Sequence, residues 1–322
     1  MLSSDKEFNS PPTDRRKAVF LWVKSMNVLS LFDGMSCGRI AMDRAGLKVD
    51  KYYASEIDKY ATKVSDVNYP DIIRLGDITK WKNWDIDWAS IDLVTGGFPC
   101  QAWSMAGKQL GDKDERGMLF WTMLDVMKKV REHNPSAHFL IENVKMKKEF
   151  EEYITHHTEQ TLGEVYKILI NSALVSAQNR NRYYWTSFPV TQPEDRGIVL
   201  NDIIKAKAEE RFFVSPKQLD RLDLSSVTNG GARVCFQSPG QNVEKSECLQ
   251  SRDYKGISGR QYFTVVMVNG ALRKLIPIEY ERLQTVPDNY TAHVSNTQRY
   301  KMLGNGWTVD VIAHLLKCML NS

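Results

Sequence analysis

The sequence predicts an α/β protein: a parallel sheet with helices on both faces, and a small, mostly β unit beside it. Three observations carry this. Short apolar, β-branched runs, such as residues 27–32 and 91–95, alternate with longer stretches of helical spacing, such as 118–130. A glycine-containing turn, Asp33-Gly34-Met35-Ser36-Cys37-Gly38, joins the first run to a helix pattern, as in nucleotide-binding sheets. From Ser187 to Leu272 the character changes: turns crowd in, and residues 225–275 hold seven Lys/Arg against three Asp/Glu.

Composition bounds the function. At 322 residues the chain fits one large domain and one small one. It is 42% apolar and 25% charged, an ordinary balance for a chain that buries a core. A net charge of +4 permits a polyanionic partner without demanding one. Five widely spaced cysteines without a C-x-x-C pair argue against a disulfide framework or a zinc site. No apolar run approaches the ~20 residues of a membrane span. Residues 1–26 form a charged N-terminal extension with no periodic pattern.

Taken in order, residues 27–32 are the first strand. The turn after it leaves backbone N–H groups at a helix N-terminus, an anion site, and Gly46 stops that helix. A second strand at 51–55 ends at Glu56, and a third, at 72–76, precedes Asp77 and Ile78. Acids at those two strand ends suit ribose hydroxyls and an adenine amino group. The strand at 91–95 runs into Gly96-Gly97-Phe98-Pro99-Cys100-Gln101. The glycines are expected to end the strand and turn the backbone, and Pro99 fixes φ before the thiol. A cysteine is most often a core residue. Here residues 139–144 form another strand that carries Glu142 at its end, so thiol and acid share one rim. The polar stretch 103–117 is long enough for a lid or binding loop. Residues 145–163 read as a helix and 165–171 as a strand. Arg180 and Arg182 lie two apart on a further strand, hence on one face, and enter an apolar run, Tyr183-Tyr184-Trp185. Near the end, a helix opens after Pro277, and Gly304-Asn305-Gly306-Trp307 turns into an apolar helix over 309–320.

Gly-Gly-Phe-Pro-Cys-Gln at 96–101 and Glu142-Asn143-Val144 resemble the nucleophile loop and acid motif of the DNA cytosine C5-methyltransferases. Phe32-Asp33-Gly34 resembles that family's first motif, Gln178-Asn179-Arg180-Asn181-Arg182 its arginine motif, and Gly304-Asn305-Gly306-Trp307 its last. Ser36-Cys37 and Trp307 resemble the animal de novo branch, whereas Asn305 is the bacterial residue. The resemblance covers residues 27–186 and 273–320. It implies a Rossmann-like class I methyltransferase sheet. The catalytic, S-adenosylmethionine-binding domain would be 27–186 with 273–322, and the target-recognition domain 187–272.

The implied activity is methyl transfer from S-adenosylmethionine to C5 of cytosine in duplex DNA, by base flipping and a covalent Cys–C6 adduct. The implied roles are Cys100 as nucleophile, Glu142 on the base edge, Arg182 on O2, and Arg180 orienting the acid. Implied cofactor contacts are Phe32, Asp33, Gly34, Met35, Ser36, Cys37, Glu56, Ile57, Asp77, Ile78, Leu119, Asn305, Gly306 and Trp307. Cys37 is read as a lining residue rather than a second nucleophile. DNA contacts are expected from Gln101, Lys108 and Arg116 on the loop, and from Arg233, Gln237 and Arg252 in the insert, whose donors suit G and A in the major groove. The partner is double-stranded DNA, with no metal and no membrane. A monomer is expected, cytoplasmic and nucleoid-associated, in a prokaryotic or phage-infected cell.

Three other readings remain. A tRNA cytosine C5-methyltransferase would use the same site, and the insert argues for duplex DNA instead. A catalytically silent DNA-binding regulator of the same fold is opposed by the intact Cys100, Glu142 and Arg182. A nicotinamide dehydrogenase shares the nucleotide-binding half but lacks the Pro-Cys loop.

Overall fold

The first strand, Met26–Leu31 (β1), lies near the middle of a seven-stranded sheet, and almost every side chain on it is buried. The computed structural model describes residues 25–99, 117–216, 234–235, 245–255 and 265–322. Within them, Val49–Ser55 (β2) and Leu93–Gly96 (β4) flank β1 in parallel, and Ile73–Arg74 (β3) extends the sheet beyond β2. His138–Val144 (β5) pairs with β4 in parallel. Asn181–Thr186 (β7) then runs antiparallel between β5 and Tyr166–Asn171 (β6), giving the order β3-β2-β1-β4-β5-β7-β6. The expected parallel sheet is therefore mostly parallel, with one reversed strand.

Alternation along the strands explains the two-faced core. Val28, Leu93 and Leu140 join one apolar cluster, whereas Leu29, Leu31, Val94, Phe139 and Ile141 join the other. Successive side chains on a strand point to opposite faces, so a sheet covered on both sides needs apolar residues at consecutive positions. Each fully buried Leu, Ile or Phe contributes about 1.5–3 kcal/mol.

One face is covered by Cys37–Ala45 (α1) and by Val309–Leu320 (α8), which pack on each other. The C-terminal helix returns beside the first βα unit. The other face carries Met118–His133 (α3), which packs on Lys148–Leu162 (α4). Lys59–Asn68 (α2) follows β2 and starts at Asp58, whose carboxylate caps the amides of Tyr60 and Ala61. Gly46 ends α1 at φ 77°, a conformation that glycine adopts without strain.

The region after β7 holds the short helix Leu200–Ile203 (α5) and a second sheet. In that sheet Val265–Val268 (β9) pairs with Ala271–Lys274 (β10) antiparallel and with Val234–Cys235 (β8) in parallel. Residues 245–255 are bound to the larger body. Gln178 pairs with Ser246, the Leu249 amide donates to Gln178 Oε1, and Tyr280 Oη donates to Asp253. Pro277–Leu283 (α6) and Asn296–Asn305 (α7) complete the fold. The helix over α7 was not foreseen; glycine and polar residues break its apolar period. A fully buried ion pair, Arg273 to Glu279 at 2.6 Å, ties β10 to α6.

Candidate active site

The carboxyl ends of β1, β2, β4 and β5 open on a cleft of about 460 Å³. It lies where strand order reverses between β1 and β4, the usual ligand position in such sheets. The β1 end is tightly wound: Phe32, Gly34 and Ser36 have φ of 57°, 59° and 63°. Two of these three left-handed residues carry side chains, a strain that persists only where surrounding contacts enforce it. Asp33, between them, is buried. Its Oδ1 accepts from Tyr52 Oη at 2.7 Å, and Oδ2 accepts from Ser36 Oγ. Burial raises its carboxyl above the usual range, partly offset by those hydrogen bonds.

Glu56 closes the turn. Its Oε2 accepts the Gly34 amide at 2.7 Å, and Oε1 accepts those of Ile57 and Asp58. Asp77 Oδ1 caps Thr79 across the cleft. Ile57 and Ile78 line the same cleft as the two acids, and Ile57 is 77% exposed. An isoleucine left that bare beside two carboxylates presents a flat apolar contact flanked by hydrogen-bond acceptors. That set suits a nucleoside: ring on the apolar wall, hydroxyls and amine on the acids.

Of the expected cofactor contacts, Phe32, Asp33, Gly34, Met35, Cys37, Glu56, Ile57, Asp77, Ile78, Leu119, Asn305, Gly306 and Trp307 line this cleft. Ser36 does not line it: the side chain is fully buried, bonded to Asp33 and Ser65 behind the turn. Burial pushes the Cys37 thiol up to about 12, so it is an inert wall group rather than a thiolate.

At the other end of the cleft stand Gly97, Phe98 and Pro99, with Glu142, Asn143, Arg180 and Arg182. Gly96 is the last residue of β4, so the strand ends at the glycines as expected, and neither glycine has positive φ. Their need is close approach. A Cβ on Gly96 would meet Met123 Sδ at 2.9 Å, and one on Gly97 would meet Trp307 Nε1 at 3.0 Å and Glu142 Oε2 at 3.1 Å. Asn143 Nδ2 donates to Phe98 O at 3.1 Å, tying the loop to the acid strand. Cys100, Gln101, Lys108, Arg116, Arg233 and Gln237 lie outside the described residues.

Glu142 is 8% exposed. Arg182 Nε lies 2.9 Å from its Oε1, and Trp307 Nε1 donates to its Oε2 at 3.1 Å. Arg182 holds the acid in this structure, and the hydrogen-bond partners of Arg180 do not include it. Arg180, 2% exposed, donates to the carbonyls of Leu249, Gly304 and Gly306 and to Cys248 Sγ. It precedes β7 rather than lying on it, so the two arginines do not share a strand face. Desolvation pulls its guanidinium below its ordinary range. Arg252 is exposed, next to Ser251 in the cleft wall. Ser251, Gln298 and Lys301 also line the cleft, and no local motif marks them in the sequence.

The family model for C-5 cytosine-specific DNA methylases matches residues 26–226 and 225–321. The chain belongs to the C-5 cytosine-specific DNA methylases. Its relatives include the type II methyltransferase M1.ScrFI of Lactococcus lactis subsp. cremoris, 32% identical over 91% of this chain and 77% of that protein. Another is M.HhaI of Haemophilus parahaemolyticus, 29% identical over 90% of this chain and 93% of its own. Among solved structures, a DNMT2 variant of Spodoptera frugiperda aligns with a TM-score of 0.67 at 21% identity, over 92% of this chain and 100% of that one. The methyltransferase EhMeth of Entamoeba histolytica aligns with a TM-score of 0.72 at 15% identity, over 92% and 98%. These two likenesses concern the fold.

As a DNA cytosine methylase, the protein catalyses methylation of cytosine at C5. Among the described residues, no helix is long and apolar enough to cross a membrane, and no group of three His, Cys, Asp or Glu could hold a metal ion.

Proposed function

We propose that this methylase takes S-adenosylmethionine in the cleft between Glu56, Asp77 and Trp307, and a cytosine flipped from duplex DNA at its Glu142–Arg182 end. The observation that carries this is the continuity of one cleft. The nucleoside-shaped wall and the paired acid line the same cavity, and Pro99, the residue before Cys100, lies on its rim.

S-adenosylmethionine bound there would supply a methyl group from its sulfonium and leave as the thioether S-adenosylhomocysteine. Glu56 would accept from the ribose hydroxyls with its remaining lone pairs, and Asp77 from the adenine amine. Phe32, Ile57, Ile78 and Leu119 would exclude water from the ring. On the target side, the Cys100 thiolate would form a bond to C6 of cytosine. The C5–C6 π electrons would then be held as an enamine, with C5 the nucleophile. Glu142 would accept from the exocyclic amine and place a proton on N3, keeping negative charge off the ring. Arg182, already on Glu142, would reach O2. After methylation the C5 proton would leave to water. Elimination would break the S–C6 bond and regenerate the thiolate, and N3 would return its proton to Glu142. Neither C5 nor C6 can be approached within a base stack, which is why the base must flip.

The basic segment at 225–275 supports duplex DNA as the partner, with phosphate contacts from its Lys and Arg side chains and base contacts from Arg233, Gln237 and Arg252. Gln101, Lys108 and Arg116 would bind DNA from the loop after Cys100. A monomer suffices for this chemistry. Its substrate puts the enzyme with the chromosome, in the cytoplasm of a prokaryotic or phage-infected cell. The test is tritiated methyl transfer from S-adenosylmethionine. Incorporation into duplex DNA at the C5 position, and none into tRNA, is expected; the reverse preference would contradict the assignment.

A further inference from the structure

Two oxygens of one buried acid have two different partners. Arg182 Nε engages Glu142 Oε1 at 2.9 Å, and the indole N–H of Trp307 donates to Oε2 at 3.1 Å. The sequence placed Trp307 only in the cofactor wall. Its contacts show more. The ring sits between two glycines: a Cβ on Gly38 would lie 3.4 Å from Cζ3, and one on Gly97 would lie 3.0 Å from Nε1. The Gly97 contact is tighter than packed side chains ordinarily allow, so the indole reaches the acid over a position without a Cβ; the Gly38 distance is ordinary van der Waals contact.

The turn that carries Trp307 is itself held. Arg180 Nη2 donates to Gly306 O at 2.9 Å and Gly304 O at 3.3 Å, and Gln284 Nε2 donates to Leu303 O at 2.7 Å and Gly306 O at 3.0 Å. Thr308 Oγ1 donates to Gln284 Oε1 at 2.8 Å and accepts from Ser172 Oγ at 2.8 Å. Buried donors with fixed partners confine the backbone on both sides of residue 307. The indole therefore reaches Glu142 from an anchored base, not from a mobile loop.

We propose that Trp307 is a positioning residue for Glu142, and that Arg180 acts on the acid through the 304–306 turn rather than by direct contact. With Arg182 on Oε1 and the indole on Oε2, the carboxyl plane is fixed before a base arrives. This inference rests on the reading of Glu142 as the group that meets the base.

The test is kinetic, on the full-length enzyme, with DNA varied up to saturation at saturating S-adenosylmethionine. Trp307→Phe keeps the ring and removes the donor. Loss of a hydrogen bond to a charged partner left buried corresponds to about a 10- to 100-fold fall in kcat, with the KM for DNA unchanged. Glu142→Asp withdraws the carboxylate from the indole, so in that background Trp307→Phe should cost no more than about twofold further. Gly97→Ala inserts a methyl between the two partners; its loss in kcat should likewise shrink in the Glu142→Asp background, and it carries the test if Trp307→Phe does not fold. Equal, multiplicative losses in both backgrounds would overturn the positioning role while leaving Glu142 in place. Unchanged turnover by Glu142→Gln would instead overturn the reading of Glu142 itself.

Discussion

Arg182 Nε and Glu142 Oε1 are 2.9 Å apart in a partly enclosed site, with 12% and 11% of their side chains exposed. They stand across the β5–β7 pairing, where Val144 faces Arg182 and Glu142 faces Tyr184. The reversed strand thus brings a cation from one strand onto an acid of its neighbour. Arg182→Lys would keep the charge but lose the planar fork that can hold Glu142 and a base oxygen together. We expect kcat to fall about 10-fold or more, by the scale of a charged hydrogen bond. Wild-type kcat in a methyl-transfer assay would show that a point charge suffices.

Glu56 sets a second expectation. Its carboxylate fixes the Gly34, Ile57 and Asp58 amides and faces the cleft. Glu56→Ala should raise the dissociation constant for S-adenosylmethionine by about 10-fold or more, measured by equilibrium binding without DNA. A change confined to DNA affinity would contradict the cofactor assignment.

The buried pair Arg273–Glu279 should govern stability rather than chemistry. Glu279 accepts two Arg273 bonds and the amides of Lys205 and Ile276, all buried or partly buried. Glu279→Ala strands a guanidinium with no exposure, and the expected cost is about 3–5 kcal/mol in denaturant unfolding. Replacing both residues with well-packed apolar ones should recover most of it. A small loss in the single variant would mean that water relieves the stranded charge.

Much of the fold was legible because its strands are buried on both faces and read as apolar runs between glycine turns. The acids of the cleft wall were legible for the same reason: Glu56 and Asp77 follow strands, where side-chain type has a positional meaning. The placement of Arg180 away from Glu142 has a physical origin. Two arginines two residues apart share a face only if both lie on a strand, and β7 begins after Arg180. The glycines at 96 and 97 end β4 as expected, but their close contacts were not legible. They are needed for the approach of Met123, Trp307 and Glu142, which no local pattern encodes. Ser251, Gln298 and Lys301 reach the cleft from far along the chain and left no signal.

The insert offers a separate expectation. Arg252, exposed beside the cleft wall, and Arg233 and Gln237 have donors suited to base edges. Alanine at each should change which sites are methylated in bisulfite sequencing across a genome, by about 1–3 kcal/mol of discrimination per lost bidentate contact. Equal slowing at every site, with the preference intact, would make the insert a clamp.

The proposed mechanism turns on Cys100 as the nucleophile. Duplex DNA carrying 5-fluorocytosine at the target cannot release the C5 substituent as a proton, so the enzyme should remain covalently bound. With S-adenosylmethionine present, the wild-type protein should form an adduct that survives denaturing electrophoresis, and a peptide map should place the nucleotide on Cys100. The Cys100→Ala variant should form none. An adduct of equal yield with Cys100→Ala would contradict the mechanism.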